Sequence, residues 1–193
     1  PAGRPRAVPE WSLSMRRWIA VIAVIGLLTT AGAFMLQRLG GVGRHPLVAL
    51  RLMMMTCDAS LEVPVDRVRK LDLRDSWNGP RSGGRRHKGI DIFATRNTPI
   101  RSVTPGIVAT VGTNSLGGRI VFVFGPGGEW HYYAHLERFA DIRVGDLIRT
   151  GTVLGYVGDS GNARGTPPHL HYGIYRLYGG ATNPYPRIVR TTP

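Results

Sequence analysis

The run RIVFVFGPGGEWHYYAHL, Arg119 to Leu136, sets the strongest limit on what this chain can become. Two apolar stretches rich in β-branched and aromatic residues flank the turn GPGG, which is the pattern of a β-hairpin. The same grammar recurs on both sides. GIDIFAT alternates Ile90 and Ile92 around Asp91, and TPIRSVTPGIVATVG gives two short strands with a Pro105–Gly106 turn between them. VGDLIRTGTVLGYVG supplies further strands and PHLHYGIYR the last. The 26 glycines and 14 prolines suit a chain with this many tight turns. The pattern predicts an all-β fold over 62–193, a compact, mostly antiparallel β-sheet or β-sandwich, with a helical turn near Asp66 to Asp72.

Upstream the composition is different. Trp18 to Gln37, WIAVIAVIGLLTTAGAFMLQ, carries no charge and is about long enough to cross a bilayer. Arg4, Arg6, Arg16 and Arg17 precede it, which favours a cytoplasmic N-terminus with the rest of the chain exported. Either the segment stays as a membrane anchor, or it is a signal peptide cut near the small residues Ala31 to Ala33. The expected organisation is therefore a basic tail and hydrophobic segment at 1–37, a linker without helical or strand period at 38–61, and one domain at 62–193. This places the domain outside the cytoplasm, in the cell envelope.

The net charge is +13 and nearly all of it is arginine. Such a chain is attracted to polyanions. The arginines are scattered, and no nucleic-acid-reading motif is present, so nucleic acid is not an expected partner. The single cysteine, Cys57, cannot form an internal disulfide.

The histidines carry the chemistry. In PHLHYGIYR, His169 and His171 share one strand face while Leu170 and Tyr172 take the other. His87 and Asp91, in HKGID, are four residues apart, an even spacing that puts both on one face of an extended segment. His135 ends the strand WHYYAHL, with His131 and Tyr133 expected on its face. Zinc in a catalytic site takes three protein ligands and keeps a position for water. His87, Asp91 and one member of the HxH pair meet that need, and two imidazoles remain for proton transfer. For the other candidates the plainer role is expected. His131 reads as an exposed hairpin residue, Tyr133 as a packing aromatic, Asn162 and Arg164 as turn formers, and Arg85 and Arg86 as a solvated pair or an attractor of acidic substrate.

GRRHKGIDIFA, YYAHL and GNARGTPPHLHYGIY together resemble, in the same order, the three signature segments of the lysostaphin-type (LytM-domain) zinc endopeptidases of bacterial cell walls. The resemblance spans roughly Pro64 to Tyr185, and Ser160 stands where the family usually has a threonine-like residue. It implies a peptidoglycan hydrolase with one Zn2+ per domain, held by His87, Asp91 and His171. It makes His135 and His169 the non-ligand histidines beside the metal. The alternative is a non-catalytic LytM-like module that binds wall and regulates other hydrolases.

Overall fold

A computed structural model describes residues 40–176 and 179–190. The basic tail and the apolar segment at 1–37 lie outside the described residues. Among the described residues no helix is long and apolar enough to cross a membrane. Nine strands form among the described residues: β1 (Ile90–Phe93), β2 (Pro99–Arg101), β3 (Gly106–Asn114), β4 (Gly118–Phe124), β5 (Glu129–Phe139), β6 (Leu147–Ile148), β7 (Val153–Val157), β8 (His169–Arg176) and β9 (Gly180–Thr182). The main sheet runs β1-β8-β5-β4-β3-β6, β7 bridges β5 to β2, and β9 lies beside β8. Every pairing is antiparallel.

The expected hairpin is β4–β5, in register from Phe124 opposite Trp130 to Val121 opposite Tyr133. The Pro105–Gly106 turn does not make a hairpin. β2 pairs with β7, while β3 pairs with β4 and β6. Nor is β8 the last strand, since β9 folds back on it through Ile174 opposite Thr182. The helical turn near Asp66 to Asp72 is a 3-10 turn at Lys70–Asp72. The Arg69 guanidinium closes it by donating to both Asp72 oxygens at 2.8 and 2.9 Å.

Residues 40–54, within the expected linker, are ordered against the sheet. A 3-10 turn (Gly40–Arg44) leads into helix α1 (Pro46–Met54), whose Ala49 and Leu52 pack with Val42 on Ile107, Ala109 and Phe124. No helical period marks it in the sequence because Leu47, Leu50, Met53 and Met54 are apolar but exposed, so apolar residues run all round it. A second short helix, α2 (Tyr185–Val189), seats Ile188 in the main core.

Alternation divides the central strands into a dry face and a wet one. Ile90, Ile92, Val121, Val123, Tyr133, Leu170, Tyr172 and Ile174 are buried together in the main core. Asp91 and Phe93 stand opposite His171 and His169, and His171 stands opposite Ala134. These residues belong to the other face.

At one point on β5 the alternation fails, and the failure moves a histidine. Between Tyr133 and Leu136 the register with β4 slips by one residue, so Ala134 and His135 together oppose Ile120. His135 absorbs the bulge with φ +65°, a left-handed conformation uncommon outside glycine. His135 therefore neither ends its strand nor shares a face with His131 and Tyr133. Those two point into the core. Tyr133 is fully buried and accepts a hydrogen bond from the Val103 N–H at 3.2 Å. His131 is also buried, not exposed, with its Nδ1 2.8 Å from the Tyr172 hydroxyl.

Burial pushes the His131 imidazole down to about 4, with Glu129 opposing the shift and Arg187 adding to it. A histidine with a depressed folded pKa stabilises the fold while neutral, above its ordinary 6.5. That contribution is lost as pH falls from 6.5 towards 4. Across this window the wild-type chain should lose on the order of 3 kcal/mol more stability than His131→Gln. Denaturant unfolding of both proteins at steps through the window checks this, and parallel pH profiles would contradict it.

Candidate active site

Three donor atoms converge on the wet face. His87 Nε2 lies 2.8 Å from His171 Nδ1 and 3.1 Å from Asp91 Oδ1, and His171 Nδ1 lies 3.2 Å from the same oxygen. Asp91 and His171 meet because β1 and β8 pair in a register that sets them opposite each other. His87 arrives differently from the expected extended strand. It precedes β1 and closes a small hairpin, its N–H donating to Gly79 O and its carbonyl accepting from Asn78 N, both at 2.9 Å. The His87 Nδ1–H donates to Ser76 O at 2.7 Å, so in the neutral ring Nε2 is the atom with a lone pair to offer. The Ser76 hydroxyl accepts the Asp91 backbone N–H at 3.1 Å, so one serine orients both residues.

The donor set fits a tetrahedral metal. Zinc–nitrogen bonds of 2.0–2.1 Å put neighbouring tetrahedral ligands about 3.3 Å apart. The triangle here, with sides of 2.8 to 3.2 Å, needs only slight widening. Burial works against the Asp91 charge. The close approach of His171, His87 and the Arg81 guanidinium outweighs it and holds the carboxyl well below the usual carboxylate range. Arg81 takes the second oxygen, Oδ2, leaving Oδ1 towards the two imidazoles. Burial lowers the pKa of His171, with Asp91 pulling the other way.

His135 and His169 stand beside this triangle, with ring centroids 5.0 Å apart and His135 5.9 Å from His171. Each has Nδ1 tied to a backbone carbonyl, His135 to Ser160 O and His169 to Pro167 O, both at 2.8 Å. With Nδ1–H donated in this way, the neutral ring presents Nε2 as a proton acceptor. Burial depresses His135 to about 4, partly offset by the Ser160 carbonyl. The bulge that turns His135 out of the core is held by a backbone hydrogen bond, His135 N to Gly117 O at 2.8 Å. Ser160 also accepts the Arg119 N–H on its hydroxyl at 2.9 Å, locking the turn that orients the imidazole.

All five residues line one open groove of about 750 Å³. Its floor is aromatic, with Phe122, Tyr132 and Tyr175 beside the histidines. Tyr132, not Tyr133, reaches the site, its ring edge-on to His171 at 5.7 Å. The sequence reading assigned no part to Tyr132, Ser76 or Arg81. Tyr132 follows from strand parity only once the bulge is known, and the other two lie in irregular lead-in sequence with no local signal. Asn162 and Ala163 line the groove at a 3-10 turn, in keeping with a turn-forming role. Cys57 lies elsewhere, against the β4–β5 turn at Gly127, with burial and then Glu129 raising its thiol pKa.

The sequence profile described as "Peptidase family M23" matches residues 85–184. An L-Ala–D-Glu endopeptidase of Bacillus subtilis (strain 168) is 40% identical over 126 residues, covering 60% of this chain and 39% of the relative. The DD-carboxypeptidase/endopeptidase Mpg of Neisseria meningitidis serogroup B is 37% identical over 100 residues, covering 52% of this chain and 22% of the relative. The chain thus spans about two fifths of the length of the first relative and about a fifth of the second. The catalytic domain of lysostaphin from Staphylococcus simulans superposes with a TM-score of 0.53 at 26% identity, covering 61% of this chain and 92% of that domain.

Gly89 is a local requirement of the donor triangle. A Cβ there would stand 2.9 Å from His171 Cε1 and Nε2 and 2.4 Å from the Tyr172 carbonyl. Gly89→Ala should therefore push the His171 ring aside and weaken divalent-metal affinity about ten- to a hundredfold. Chelator-competition titration measures this. Unchanged affinity in a folded variant would mean that His171 does not set the metal site.

Proposed function

Because this chain belongs to peptidase family M23, we propose that it is a zinc-dependent endopeptidase that hydrolyses peptide bonds in bacterial peptidoglycan. Zinc would be held by His87, His171 and Asp91, whose Nε2, Nδ1 and Oδ1 atoms converge. The observation that carries the reading is the mutual 2.8–3.2 Å approach of these atoms, with two further imidazoles beside them. Bound there, zinc would act as a Lewis acid, polarising the scissile carbonyl and lowering the pKa of a water.

The protein's own groups handle the protons. His135 and His169 each have Nδ1–H committed to a carbonyl, so each can accept a proton at Nε2. One takes the proton of the attacking water and returns it to the leaving amine. The other, once protonated, donates from Nε2 to the developing oxyanion. Such a donor contributes about 3 kcal/mol. The aromatic floor excludes water beneath the peptide and keeps these interactions strong. The names of the relatives, an L-Ala–D-Glu endopeptidase and a DD-carboxypeptidase/endopeptidase, support a wall peptide as substrate. The uncharged segment 18–37 would deliver the domain to the cell envelope as an anchor or a cleaved signal. A non-catalytic wall-binding regulator is not favoured, because none of the five histidine and aspartate positions is lost.

His171→Ala should lose stoichiometric zinc and release no fragments from purified peptidoglycan, while circular dichroism stays native. Metal analysis of the purified protein and mass spectrometry of released muropeptides read the outcome. Hydrolysis at the wild-type rate by this variant would remove the mechanism.

A further inference from the structure

The groove is electrically lopsided. The hairpin from Asn78 to His87 forms one wall and, with Lys88, brings Arg81, Arg85 and Arg86 to the lining. The polar lining residues Asn114, Ser115, Asn162 and Thr166 are uncharged. The lining has a single carboxylate, Asp91, already engaged by Arg81, His87 and His171. Among the described residues Arg85, Arg86 and Lys88 have no carboxylate partner. Their contacts are weaker ones. Arg85 donates to Ser82 O and Oγ at 3.2 and 3.3 Å, Arg86 to Asn78 O at 3.3 Å, and the Lys88 ammonium lies 5.7 Å from the Trp77 ring.

This wall has a defined shape. Arg81 N donates to Arg85 O at 2.9 Å, Pro80 bridges Arg86, and Gly83 and Gly84, both at φ +71°, make the turn between. The paired backbone fixes where Arg85 and Arg86 begin, directly before the metal-binding His87. Unpaired guanidiniums on a fixed frame at the rim of a groove suit carboxylate oxygens in geometry and in charge.

We infer that the Arg85–Arg86 wall is a carboxylate-recognition subsite, which makes the enzyme select acidic peptides over their amidated counterparts. The inference rests on the endopeptidase reading and adds the substrate class that the reading leaves open. Arg85 and Arg86 set this preference. The attraction acts over roughly 8 Å at physiological ionic strength, enough to span the rim.

The test uses the zinc-loaded full chain and two fluorescent synthetic stem peptides. One has its carboxylates free, and the other has each of them as a carboxamide. Anisotropy measures binding and chromatography measures cleavage. The acidic peptide should bind about tenfold more tightly at low salt, with the gap closing as salt rises. The double variant Arg85→Gln/Arg86→Gln should bind both peptides alike. Arg85→Lys/Arg86→Lys should keep the preference, showing that the hairpin frame survives substitution. Equal binding by the wild type, or a gap that persists in the glutamine variant, would overturn the inference. Hydrolysis of both peptides with equal affinity would do so while leaving the endopeptidase reading intact. A binding preference without hydrolysis of either peptide would support the subsite and remove that reading.

Discussion

The site depends above all on the register between β1 and β8. Because Asp91 faces His171 and Phe93 faces His169, one antiparallel pairing delivers a carboxylate and two imidazoles to the same face. Its reverse side delivers Ile90, Ile92, Leu170 and Tyr172 to the core. Slipping the pairing by one residue would exchange the two sets, burying charge and exposing apolar surface. The apolar core and the geometry of the candidate metal site are thus fixed by one choice, and hydrophobic burial guards the position of the proposed ligands.

Backbone carbonyls then decide what each imidazole can do. Ser76, Ser160 and Pro167 each accept an Nδ1–H, from His87, His135 and His169 respectively. All three rings are left with Nε2 as the reactive atom. His171 is the exception, turned so that its Nδ1 meets His87 and Asp91. Loops carry these carbonyls, and the loops are held by one another. The Gly117–Gly118 turn and the Ser160–Gly161 turn approach so closely that a Cβ on Gly118 would lie 2.3 Å from Gly161 N. A small local constraint of this kind fixes the orientation of His135 as surely as a side-chain bond.

Charge is distributed with the same economy. Where arginines support the fold they are paired, as Arg101 is with Asp66 and Arg187 with the buried Glu129. Along the groove rim they are left without acidic partners, apart from Arg81 on Asp91. A surface pair adds little to stability, so rim cations left open for a ligand cost the fold almost nothing.

The strands, the β4–β5 hairpin and the HxH pair were legible in the sequence because they rest on short-range patterns: alternation, turn residues and spacing along one strand. Helix α1 was not, because its apolar residues run all round and only tertiary contact picks out Ala49 and Leu52 as the buried ones. The faces of His131, Tyr132, Tyr133 and His135 were not legible either. The bulge that reassigns them exists only through pairing with β4 and docking against Gly117, and nothing local to WHYYAHL encodes it. The sequence by itself determined which residue types could bind a metal and move protons. Only the tertiary structure decided which of them meet, because convergence depends on strand register and loop contacts between residues as far apart as 87 and 171.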